Sequence, residues 1–150
     1  MAHTFANLLT HIIFSTKGRQ PFLNGEFKPQ VLAYLAGIVR HLQGVPMEIN
    51  GSADHVHLLV SLRPALSVAE LVRVLKSNSS GWVHEKWPSR KWFAWQEGYG
   101  AFSLSQSHAG QVLRYIQGQE EHHRKVSFQD EFVAFLKKHG IAYDERYIWQ

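Results

Sequence analysis

The chain contains no cysteine. Disulfides, thiolate metal sites and cysteine nucleophiles are excluded, and the absence suits a reducing cytoplasm. The N-terminal stretch MAHTFANLLTHIIFSTKGR lacks a basic leader before its apolar run and a small-residue cleavage site after it, so no signal peptide is read. No apolar run approaches the ~20 residues that a membrane span needs, so no membrane partner is expected. Internal repeats, low-complexity segments and linkers are missing. So are a G-x-x-x-x-G-K-[ST] phosphate loop and the aromatic K/R-G-F/Y-G/A-F-V-x-F/Y strand of sheet-type RNA binders. Charge is sparse: 19% of residues are charged, with a net of +4 that leaves ten histidines uncounted. That is a mild lean toward anionic partners. What is present is 45% hydrophobic residues in 150, enough for one packed domain spanning residues 1–150.

Strand and helix patterns alternate along the chain. Residues 4–16 read as a strand rich in β-formers, closed by Lys17-Gly18. Residues 24–43 place Val31, Leu32, Leu35, Ile38, Val39 and Leu42 at helical spacing, with Gly44 as the stop. Residues 45–50 and 55–62 form a hairpin across Gly51-Ser52-Ala53-Asp54. Ser67 and Glu70 make a capping box for a helix to about Trp87. Residues 99–105 are a short strand, and Ser107 begins a helix to about His123. Ser127 caps the last helix, whose apolar stripe is Phe128, Phe132, Phe135 and Leu136 and whose stop is Gly140. The first six elements predict an α+β, ferredoxin-like (RRM-like) antiparallel sheet backed by helices, with additional C-terminal helices.

Within His55-Val56-His57-Leu58-Leu59-Val60, side chains two apart share a strand face. His55 and His57 therefore stand side by side, a pair of imidazoles able to ligate one divalent ion. Asp54 is placed to orient an imidazole from behind. A chance H-x-H on a half-exposed strand is the competing reading. His11 could lie near this face, but pattern alone does not fix its register.

The helix over 107–123 carries a second signal. At 100° per residue, His108, Gln111, Gln119 and His122 fall within about 40° of Tyr115, whereas Ala109, Leu113 and Ile116 cluster near 100–160°. One stripe packs and the other is polar but uncharged. Gln119, one turn beyond Tyr115, can reach toward whatever the tyrosine attacks. The phenol is protonated at neutral pH, so attack needs a proton acceptor, for which His122 is a candidate. A partly buried tyrosine with no chemistry is the plainer alternative.

Taken in order, HIIFSTKGR, DHVHLLVSL, FAWQEGYGAFSLS, YIQGQEEHH and KKHGIAYDERYIW resemble the HUH-type transposases with one catalytic tyrosine that mobilise small bacterial insertion sequences as single-stranded DNA. The resemblance covers nearly the whole chain. It implies a divalent ion, Mg²⁺ or Mn²⁺, held by His55, His57 and Gln119, and Tyr115 attacking a DNA phosphate to leave a 5′-phosphotyrosine. It further implies recognition of DNA hairpins at element ends, and a homodimer whose tyrosine helices dock on the partner's histidines. Gly98–Gly100, Gly110 and Gly118 would then serve as a hinge.

Lys17, Arg19, Arg73 and Lys76 are candidate phosphate contacts, with Arg90 and Lys91 beside the tryptophan-rich stretch 82–95. Trp82 continues the apolar stripe of its helix, while Trp87, Trp92 and Trp95 fit either packing or base stacking. Three rival readings share these residues: a host-adopted relative that processes chromosomal repeats, a metallohydrolase of small phosphate esters, and a non-catalytic nucleic-acid module.

Overall fold

A computed structural model describes residues 3–150. Met1 and Ala2, at the head of the stretch read for a leader, lie outside them. The strands β1 (Leu8–Ser15), β2 (Val45–Gly51), β3 (His55–Leu62) and β4 (Gly100–Ser103) form one antiparallel sheet in the order β2-β3-β1-β4. Helix α1 (Phe27–His41) links β1 to β2, and α2 (Val68–Lys86) links β3 to β4. This is the ferredoxin-like α+β arrangement. Three helices follow: α3 (Ala109–Gln117), α4 (Gln119–His122) and α5 (Phe128–Lys138). No helix among the described residues is long and apolar enough to cross a membrane.

Register decides what each face of the sheet carries. Val56 pairs with Phe14 and Leu58 with Ile12. Together with Val60 they bury against Val31, Leu35 and Val39 of α1 and Leu71, Leu75 and Val83 of α2, forming the larger core. Alternation then sends His55 and His57 to the opposite face, opposite Ser15 and Ile13 of β1. That face is covered too. Ile13 and Phe102 pack against Phe128, Phe132 and Leu136 of α5 in a second apolar cluster. The C-terminal helices are therefore a second layer, and the histidine strand lies between two cores.

Several boundaries differ from the sequence reading, each for a local reason. β1 begins at Leu8 rather than residue 4, and Phe5 is exposed. At the start of α2, Ser67 Oγ accepts from the Glu70 N–H at 3.1 Å. The Glu70 carboxylate, however, pairs with Arg73 at 2.6 Å, so the box has only one of its two arms. After α1 the left-handed residue is Gln43, φ 65°, rather than Gly44, while Gly140 at φ 67° ends α5 as expected. The tyrosine helix starts at Ala109 and breaks at Gly118 instead of running through from Ser107 to His123. Asn50 Nδ2 donates to the carbonyls of Ile116 and Gln117 at 3.0 and 3.1 Å, filling orphan acceptors at that end.

The glycines expected to form a hinge adopt ordinary backbone angles. None of Gly98, Gly100, Gly110 and Gly118 has a positive φ. Gly100 is required for space: a Cβ there would lie 2.6 Å from the Phe132 ring, which packs on the strand. In the tryptophan stretch, Trp95 is core, Trp82 stacks on Tyr34 at 4.2 Å between centroids, and Trp87 meets Phe27 edge-on. Trp92 alone of these four is exposed.

Candidate active site and metal cluster

β3 delivers His55 and His57 to the face under α5, both without solvent exposure. Each imidazole is held from behind. His55 Nδ1 lies 2.7 Å from Asp54 Oδ1 and 3.1 Å from Ser52 Oγ. His57 Nδ1 lies 2.8 Å from His11 Nε2, a neighbour that the register of β1 places on the same face. Fixing one ring nitrogen directs the other, and both Nε2 atoms point to a common centre.

A carboxylate from α5 occupies that centre. Glu131 Oε1 lies 2.8 Å from His57 Nε2, 3.4 Å from His55 Nε2 and 3.2 Å from His123 Nε2. Its other oxygen, Oε2, accepts from the Tyr115 hydroxyl and lies 3.2 Å from His122 Nε2. Gln119 is fully buried, its Oε1 3.2 Å from His55 Nε2 and its Nε2 3.4 Å from Glu131 Oε2. Tyr115 and His122 approach within 3.1 Å. Tyr115 and Gln119 thus meet the histidine pair, and His122 reaches Tyr115 and Glu131, despite the break at Gly118, because a short α4 restarts at once.

The electrostatics follow from burial and charge. Burial opposes ionisation of Glu131, but the imidazoles of His123, His55 and His57 outweigh it and hold the carboxylate well below its usual range. Burial and the Glu131 carboxylate push the Tyr115 phenol up. Burial pushes His57 down to about 4; it also lowers His11, with help from His57. His55 goes the other way: burial favours its neutral form, yet Asp54 and Glu131 raise it overall.

Two openings flank the cluster. A groove of about 820 Å³ reaches it from the Asp54 and His123 side and is lined by Lys28 and Arg124 among others. A second cavity of about 580 Å³ lies on the tyrosine side, between His11, His108, Gln111, Tyr115 and Phe135. The polar stripe of α3 thus lines a cavity.

The basic residues are less uniform. Lys17 is exposed and Arg19 partly so, on the turn after β1; Arg19 lies over the Trp149 ring. Arg73 is exposed and paired with Glu70. Lys76 is committed elsewhere. Its Nζ donates to the carbonyls of Gln96, Glu97 and Gly98 at 2.8, 3.0 and 2.6 Å, and burial pushes it down to about 8.

Sequence reasoning missed Glu131, His123 and the contact of His11 with His57. Glu131 left a trace, since an acid at position 131 interrupts the stripe of Phe128, Phe132 and Phe135. His123 was masked by treating residues 107–123 as one unbroken helix.

His55, His57, His123 and Glu131 offer one ligand atom each, all within 4.8 Å of one another, a group that could hold a divalent ion. The donor chemistry fits: neutral imidazoles and a carboxylate are ordinary ligands of such ions. His123 Nε2 is also buried without a hydrogen-bond partner. A ferredoxin-like sheet bearing a histidine pair beside a half-buried tyrosine is an architecture suited to a transposase. The comparisons agree. Residues 4–119 match the family "Transposase IS200 like", and the chain belongs to that family. Relatives include the transposase for insertion sequence element IS200 of Salmonella typhimurium, 29% identical over 126 residues, covering 81% of this chain and 82% of the relative. The ISDra2 transposase TnpA of Deinococcus radiodurans is 29% identical over 118 residues, covering 74% of this chain and 83% of the relative. Among solved structures, a transposase candidate from Deinococcus radiodurans R1 superposes with TM-score 0.65 at 23% identity, covering 79% of this chain and 95% of the other. A REP-associated tyrosine transposase bound to a REP hairpin gives TM-score 0.61 at 13% identity, covering 84% and 74%.

Proposed function

We propose that this chain, acting as a single domain, cleaves and rejoins single-stranded DNA through a covalent link between Tyr115 and a 5′-phosphate. The observation that carries this reading is the convergence of Tyr115, His55, His57 and Gln119, from β3, α3 and α4, on one buried centre. The phenol oxygen attacks a phosphodiester, the 3′-oxygen leaves, and the phenol proton passes to His122, already at hydrogen-bond distance. The new diester is close in energy to the old one, so the leaving 3′-hydroxyl can reverse the step, or another can replace it, without a nucleotide cofactor.

His55, His57 and Gln119 would hold a divalent ion, Mg²⁺ or Mn²⁺, which supplies polarisation of the scissile phosphate. Asp54 fixes the His55 ring for that task. Lys17, Arg19 and Arg73 are proposed phosphate contacts; Lys76 is proposed instead to brace the segment before β4. The hairpin bound by the REP-associated relative supports a DNA hairpin as the recognised feature. A homodimer with shared sites is the proposed assembly for strand exchange, although one chain already brings tyrosine and histidines together.

The test is incubation with tailed DNA hairpins and a divalent ion, followed by a search for a denaturant-stable adduct. Tyr115→Phe should abolish the adduct while keeping DNA affinity within a few-fold, since one hydroxyl is lost. His57→Ala and excess chelator should each abolish it too. Normal adduct formation by Tyr115→Phe rules the assignment out.

A further inference from the structure

We infer that the ion's ligands are His55, His57, His123 and Glu131, with Gln119 bracing them through His55 and Glu131, a three-imidazole, one-carboxylate pocket that prefers nitrogen-binding ions such as Co²⁺ or Zn²⁺ over Mg²⁺. Four observations converge. Three Nε2 atoms, from His55, His57 and His123, lie within 3.4 Å of one oxygen, Glu131 Oε1. The donor atoms span no more than 4.8 Å. An ion about 2.0–2.1 Å from each of four tetrahedral donors sets them roughly 3.4 Å apart, so the pocket needs only a small contraction. His123 Nε2, on a side chain 8% exposed, has no hydrogen-bond partner. Its one close polar neighbour is Glu131 Oε1 at 3.2 Å, itself one of the four donors.

The rear contacts complete the case. With Nδ1 of His55 against Asp54 and Nδ1 of His57 against His11, each ring offers Nε2 inward. Imidazole suits zinc-like ions, whereas Mg²⁺ prefers oxygen donors and retains water. Glu131 then has a double role. Oε1 faces the ion pocket and Oε2 faces the Tyr115 hydroxyl and His122, so one carboxylate ties the ion to the nucleophile. His123 and Glu131 both lie beyond residues 4–119, the part matched by the family.

The inference rests on the metal reading of this site, and its test needs no DNA. Chelator-stripped full-length protein is titrated with Co²⁺ and followed by visible absorption, with excess Mg²⁺ as competitor. X-ray absorption then counts imidazoles in the wild-type complex. Expected are one tight site per chain, little displacement by Mg²⁺, and three imidazoles. His123→Ala and Glu131→Gln should each weaken Co²⁺ binding by about tenfold or more, with circular dichroism confirming the fold. Two imidazoles in the wild type, or full Co²⁺ affinity in both variants, overturns this ligand set while leaving the tyrosine reading intact. No Co²⁺ binding overturns it as well. Loss of the adduct in Tyr115→Phe with Co²⁺ binding retained separates the two claims.

Discussion

Glu131 is the residue on which most of the site's electrostatics turn, and it makes stability depend on pH in a readable way. His57, held at about 4 by burial, and His11, lowered for the same reason, stay neutral in the folded chain. The unfolded chain protonates them near 6.5. Acidification from about 6.5 toward 4 therefore favours unfolding, by up to a few kcal/mol for His57. Below about 4.5 the loss continues, because unfolded carboxyls take up protons that Glu131 refuses. His55 has the opposite sign. Its raised value contributes stability fully present below 6.5 and lost as pH rises through its folded value. Stability should peak near neutrality, with the larger fall on the acid side. Urea unfolding of metal-free protein between pH 4 and 8 measures this, and His57→Phe should flatten the acid limb. An acid limb unchanged by that variant would show that other groups set it.

At the scale of elements, one close fit between α5 and the sheet can be tested directly. Phe132 packs where Gly100 leaves no Cβ. Gly100→Ala should cost ~1–3 kcal/mol by overpacking, and Phe132→Ala ~3–5 kcal/mol by leaving a cavity. The double variant should cost less than the sum, because the alanine methyl enters space the ring has left. Chemical denaturation of the four chains closes the cycle; strict additivity would show that the two positions do not meet.

Legibility also varied by element. The H-x-H strand was readable because period two leaves no choice of face once Val56, Leu58 and Val60 go inward. The polar stripe of α3 was readable for the same reason at period 3.6. The break at Gly118 was not, since the group that satisfies the carbonyls there, Asn50, lies 66 residues away from Ile116. The place of His11 needed register, which only strand pairing supplies. Glu131 looked like an interruption in an apolar stripe, and nothing local says that three imidazoles wait opposite it. Lys76 looked like a surface cation until the carbonyls of residues 96–98 folded over it.

For the whole molecule, the proposed homodimer could use the tyrosine of each chain with its own histidines or with a partner's. Here a single chain closes the site. A Tyr115→Phe chain and a His57→Ala chain should each be inactive alone. In a purified mixed dimer with two tags, adduct formation returns only if helices are exchanged, because one of the two sites then regains both groups. A silent mixed dimer means that each subunit keeps its own tyrosine.

The position of the ionic cluster between two apolar layers has a further consequence. Small metal-dependent domains commonly fall apart when stripped, because the ion is what draws their ligands together. In this chain the donors are spaced by packing on both sides, and Glu131 supplies a negative charge among the imidazoles in place of relying on the ion for cohesion. On the proposed reading the pocket would act as a preformed chelator rather than a fastening. Its occupant should then be removable and exchangeable with the scaffold intact, so that ions chosen for their colour or magnetism would report on the same geometry.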